Sequence, residues 1–92
     1  MKSIIQSNKE CFVCKTTAGL HEHHVFGGTA NRKKSEEYGM KVWLCGYHHN
    51  LSNNGVHFDK KLDLEVKRIA QNIFEKEYGS EMFMRVFGKN YL

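Results

Sequence analysis

The pattern of apolar positions changes character near the middle of the chain. From Asp59 onward, Leu62, Val66, Ile69, Ile73 and Phe74 recur at three- and four-residue steps. That period puts them on one face of a helix. The pattern predicts a long helix opened by Asp59 or Asp63 and closed by Gly79, because a carboxylate can accept from free N-terminal amides and glycine can end a helix. Ser80 is placed to cap a shorter helix through Met82, Phe83, Val86 and Phe87, stopped by Gly88. The first half has no such period. Leu20 to Phe26 reads as a strand of about seven residues, with β-branched and aromatic side chains at its end. Gly27-Gly28-Thr29-Ala30 breaks it. Lys41-Val42-Trp43-Leu44 reads as a second strand that delivers Cys45 at its end. Asn31 to Gly39 is then a charged connection with room for one helical turn. His48 begins a short helix or turn, and Asn53-Asn54-Gly55 interrupts the chain again. Met1 to Glu10 is polar and is expected to be ordered only where it meets the body.

Composition narrows the class. At 92 residues the chain suits one domain with a modest core, and domains this small often need a staple. Fourteen Lys and Arg against ten Asp and Glu give a formal charge of +4. This moderate excess favours polyanion partners without identifying one. The three cysteines cannot all pair internally, and the C-x-x-C spacing argues for metal over a disulfide framework. No apolar run is long enough to span a membrane and no secretory-type signal opens the chain. A reducing, cytoplasmic location is the expectation.

Two short knuckles carry the chemistry. Cys11-Phe-Val-Cys14 and Cys45-Gly-Tyr-His48 have the same spacing. A turn of that length points both side chains at one cation, and thiolate and neutral imidazole are normal zinc ligands. Residues 15–44 separate the knuckles, enough for the strand–connection–strand unit. Cys11, Cys14, Cys45 and His48 are therefore the candidate ligands of a structural zinc. His49 competes with His48 for the fourth place, and the spacing favours His48.

That assignment leaves imidazoles over. His21-Glu22-His23-His24 lies in the first strand, where alternation puts His21 and His23 on one face and Glu22 and His24 on the other. Periodicity alone does not separate a ligand from a general base here. His49 follows a zinc ligand, so its backbone is pinned, as a second, open metal site requires. His21 reads as a surface or supporting residue and Glu22 as solvent-facing. His57 is expected near the site without binding metal.

Cys-x-x-Cys, then His23-His24-Val25-Phe26-Gly27-Gly28, then Leu44-Cys45-x-x-His48-His49-Asn50, resembles the HNH endonuclease family, and most of all its small zinc-bearing phage members. The likeness covers Cys11 to about His57. It implies an α+β fold, a zinc-stapled β-hairpin plus helix (ββα-metal) over residues 11–57, with a C-terminal helical extension over about 59–88. It also implies hydrolysis of DNA phosphodiester bonds with a divalent metal such as Mg²⁺, Mn²⁺ or Zn²⁺. His23 and His49 match the family's metal ligands and His24 its general base. The family's middle asparagine has no counterpart: Met40 and Lys41 stand there.

Arg32, Lys33 and Lys34 form a charge run in the connection between the strands. Beside a phosphodiesterase site they would neutralise DNA phosphates. Lys60, Lys61, Lys67 and Arg68 could extend that track, although Asp63 and Glu65 intersperse opposite charge. DNA is the expected partner, with phage-type replication, recombination or packaging proteins as further candidates and the host cytoplasm as the setting. The alternative is a zinc-stabilised nucleic-acid-binding module without hydrolytic activity.

Overall fold

The structure, a computed structural model, describes residues 2–49, 55–57 and 59–92. The element order is β1 (Leu20–His24), α1 (Thr29–Tyr38), β2 (Lys41–Cys45), α2 (Gly46–His49), α3 (Lys60–Tyr78) and α4 (Ser80–Phe87). The architecture is a small α+β fold. Its two strands pair antiparallel, from Leu20 opposite Cys45 to His24 opposite Lys41. Among the described residues no helix is long and apolar enough to cross a membrane. The interruption expected at Asn53 and Asn54, and Asn50 of the family pattern, lie outside the described residues.

The connection between the strands differs from the sequence expectation. It is a ten-residue helix, α1, so Arg32, Lys33 and Lys34 sit on a helix and not in a loop. The reason is visible in the packing. α1 has almost no apolar stripe, and its anchor is polar: the buried Ser35 hydroxyl donates to the Phe26 carbonyl at 2.9 Å and accepts from the Phe26 amide at 3.2 Å. A hydrophobic period cannot reveal a helix held this way. Gly39 ends α1 in the left-handed region, φ 70°. A Cβ there would lie 2.5 Å from the Lys2 carbonyl oxygen, so the N-terminal segment packs directly on the bare backbone.

The first strand is also shorter than expected, ending at His24 rather than Phe26. Val25 still donates to the Met40 carbonyl at 2.9 Å, and Phe26 turns into the core. There it meets Phe83 and Phe87 at ring-centroid distances of 5.3 and 4.5 Å, while Phe74 lies 5.4 Å from Phe83. Phe74, Phe83 and Phe87 of the tail are thus core, as their helical spacing implied, whereas Tyr78 is exposed. Asp59 caps α3 through Lys61 and Leu62 amides. Gly79, not Ser80, occupies the cap of α4, and no side chain bonds there. Buried Gln71 fastens the C-terminus: its amide donates to Asn90 at 2.8 Å and its carbonyl accepts from the Tyr91 amide at 2.8 Å.

The Ser35 anchor gives a testable consequence. Ser35→Ala leaves the Phe26 amide buried without its partner, a loss of about 1–3 kcal/mol. Urea unfolding at saturating zinc should show it. A change below about 0.5 kcal/mol, within the range of an ordinary surface substitution, would mean that α1 is held by something else.

Candidate metal centres

Cys11, Cys14, Cys45 and His48 converge from three parts of the chain. The N-terminal knuckle is a turn in which Lys15 donates to the Cys11 carbonyl at 2.9 Å. Lys15 takes a positive φ of 67° to close it. Phe12 donates to the Trp43 carbonyl at 2.8 Å, which docks the knuckle on β2. Cys45 ends β2 and His48 follows within α2. The separations are 3.7 Å for Cys14 Sγ to Cys45 Sγ, 3.3 Å for Cys45 Sγ to His48 Nδ1, and 3.8 Å for Cys11 Sγ to His48 Nδ1. A tetrahedron with the usual zinc–sulfur and zinc–nitrogen lengths has edges of about 3.8 and 3.6 Å. All three cysteines are free thiols. The group could hold a metal such as zinc.

The thiols are primed unequally. Burial pushes Cys11 up, but hydrogen bonds from the backbone at Cys14, Cys45 and Val13 outweigh it and bring the thiol down to about 6. Cys45 is pushed up, first by burial and then by the neighbouring Cys11 and Cys14. Three thiols this close resist joint ionisation unless a cation neutralises them.

A second group lies on the inner face of the hairpin. Ligand atoms of His23, His49 and His57 lie within 4.8 Å of one another. His49 Nε2 is 3.0 Å from His57 Nε2. Two nitrogens on one ion at ordinary metal–nitrogen lengths stand about 2.9 to 3.3 Å apart. His23 is 7% exposed, and its Nε2 is a buried nitrogen without a hydrogen-bond partner among the described residues. An orphaned buried nitrogen facing two other imidazoles fits a cation site. His21 Nδ1 lies 2.9 Å from His49 Nδ1. His21 therefore supports the far side of the His49 ring, as metal-binding imidazoles require.

Sequence reasoning expected His57 nearby but not as a contributor to the cluster. It arrives because Val56 and His57 donate to the carbonyls of His48 and His49, at 2.9 and 3.3 Å. Nothing in Gly55-Val56-His57 announces that pairing. The group opens into a cleft of about 530 Å³, which His24, Arg32, Lys67, Glu22 and Asp63 also line. Lys33 and Lys34 do not line it. Lys67 was only a secondary candidate in the sequence, and here it stands 2.7 Å from Asp63.

Burial, then the charges of His49 and His57, lower His23 to about 3. His49 is also lowered, by burial first and then by His57 and His21. Both rings are thus held neutral with lone pairs available. No family model, curated protein or solved structure matches the chain.

Two predictions follow from these centres. Purified protein should retain about one equivalent of zinc, as one closed site demands. Cys45→Ala should lose both zinc and fold, and His49→Ala should keep both; elemental analysis with circular dichroism reads the difference. Zinc lost from His49→Ala would place His49 in the thiolate centre instead. The second prediction concerns acid. His23 refuses a proton in the folded state down to about pH 3, whereas an unfolded histidine accepts one near 6.5. Stability is unaffected by this group above about pH 6.5 and falls as pH drops below it, by up to about 1.4 kcal/mol per unit. Unfolding of zinc-loaded wild type and His23→Gln between pH 6.5 and 5 should show the steeper decline in wild type. Parallel curves would contradict it.

Proposed function

We propose that the chain is a metal-dependent HNH endonuclease that hydrolyses DNA phosphodiester bonds. In this reading Cys11, Cys14, Cys45 and His48 hold a structural zinc. The strands and α2 form the ββα-metal clasp of the family, and His23, His49 and His57 hold a catalytic divalent cation. The observation that carries the reading is the juxtaposition of two unlike centres: a closed Cys₃His group and an imidazole group that faces an open cleft, in which Arg32 and Lys67 stand beside Glu22 and Asp63. A staple alone does not need the second group.

When bound, the cation supplies charge stabilisation to the scissile phosphate and its leaving oxygen. The other steps belong to side chains. Arg32 in the cleft neutralises a DNA phosphate and sets the backbone's position, while Lys67 is paired with Asp63. His24, which shares the cleft, takes a proton from the water that attacks phosphorus. His21, bonded to His49, keeps that ring facing the cation.

One feature favours the second reading, a zinc-stabilised nucleic-acid-binding module: Met40 and Lys41 stand where the family has asparagine. Plasmid cleavage with and without added divalent metal separates the two. Wild type should cleave only with metal, and His49→Ala should not cleave while keeping its zinc. In single-turnover assays His24→Ala should lose about two to four orders of magnitude in rate. Its DNA affinity should stay near wild type. A wild-type protein that binds DNA but never cuts it would establish the binding module.

A further inference from the structure

His24 and Lys41 are cross-strand partners, on the face of the hairpin opposite His23 and Val42. Glu36, on α1, spans the pair. Its Oε1 lies 3.1 Å from His24 Nε2 and its Oε2 lies 2.7 Å from Lys41 Nζ. Lys41 is almost buried, and its ammonium also stands 3.5 Å from Glu22 Oε2. His24, Glu36 and Lys41 come from β1, α1 and β2, so the constellation exists only because the connection between the strands is a helix.

Glu22, His24 and Glu36 also bring one ligand atom each within 4.8 Å of the others. Yet the Lys41 ammonium already sits between the two carboxylates, so the local cation is a side chain. The group is better suited to holding an imidazole than to holding an ion.

We infer that Glu36, clamped by Lys41, is the positioning residue of His24. This rests on the nuclease reading of the cleft. An ionised carboxylate can only accept hydrogen bonds. The contact with Glu36 therefore requires the hydrogen of a neutral His24 to be on Nε2, which leaves the lone pair on Nδ1. Glu36 stays ionised: its carboxyl is lowered to about 2, first by the hydrogen bond from Lys41, with His24 contributing. Burial opposes charge on Lys41, but the contacts with Glu36 and Glu22 raise its pKa overall. In the reaction a water proton moves to His24 Nδ1 as the water oxygen bonds to phosphorus. The bond from phosphorus to the leaving oxygen breaks, and that oxygen takes a proton from solvent. The imidazolium formed is stabilised by Glu36, which does not itself take the proton. Met40 and Lys41 stand where the family has asparagine, and Lys41 acts through the carboxylate that it holds.

The test uses zinc-loaded full-length protein and the variants Glu36→Ala, Glu36→Gln, Lys41→Met and Lys41→Arg, each first checked for zinc content and thermal unfolding. Imidazole ¹⁵N spectra should show His24 as the Nε2–H tautomer in wild type and as a tautomer mixture in Glu36→Ala. Single-turnover cleavage should fall by about 10- to 100-fold in Glu36→Ala, the usual loss for a partner that orients a reacting group. Plasmid affinity should change by less than about twofold, since the defect is in the chemical step. Glu36→Gln, which keeps the shape and loses the charge, should also be slow. Lys41→Met should lose rate and Lys41→Arg should recover most of it. A wild type that cleaves in a His24-dependent manner, with Glu36→Ala equal to it in rate and tautomer, overturns the role of Glu36 and leaves the nuclease reading intact. A wild type that cuts nothing overturns the nuclease reading, and with it any catalytic use of Glu36.

Discussion

The arrangement depends on bringing three sulfurs and one imidazole within van der Waals reach of each other. Cys14 and Cys45 Sγ atoms 3.7 Å apart are an electrostatic liability once ionised, and burial raises Cys45 further. A cation between them would convert the liability into a bond network whose binding energy becomes folding energy. For a domain with a small core this matters more than any single apolar contact. It would tie the N-terminal turn to the end of β2 and to α2, and so fix the backbone at His48 and with it that of His49.

Neighbouring residues then serve different centres. In a helix successive side chains point about 100° apart. His48 Nδ1 joins the thiols, while His49 presents one ring nitrogen to His57 and the other to His21. In β1 the alternation of a strand makes the same kind of division. His23 faces His49 and His57, and His24 faces Glu36 and Lys41. Two adjacent histidine pairs are each split by the geometry of the element that carries them. The soft thiolate donors collect where the site is closed, and the imidazoles collect where it opens to the cleft.

The sequence made some of this legible and hid the rest for physical reasons. The knuckles could be read because ligand spacing is a local property: Cys11 to Cys14 and Cys45 to His48 each close within one turn. The tail could be read because apolar period is local too, and Asp59 caps α3 where expected. Helix α1 was hidden because its buried residue is a serine, whose hydroxyl bonds the Phe26 backbone. His57 was hidden because backbone bonds to His48 and His49 deliver it, and these leave no mark on residue type. Glu36 read only as one residue of the charged connection between the strands. Its meeting with His24 and Lys41 is long-range geometry that depends on α1 being a helix.

The central claim is that one hairpin presents two metal centres of different chemistry. Titrating zinc-free protein with Co²⁺, followed by absorption, tests it directly, because thiolate ligands give a charge-transfer band that imidazoles do not. The band should grow through the first equivalent and then stop. Further Co²⁺ should add only weaker visible bands, and these should vanish in His49→Ala while the thiolate band remains. A single class of site, or a thiolate band that keeps growing past the first equivalent, would mean that the hairpin does not carry two separate centres.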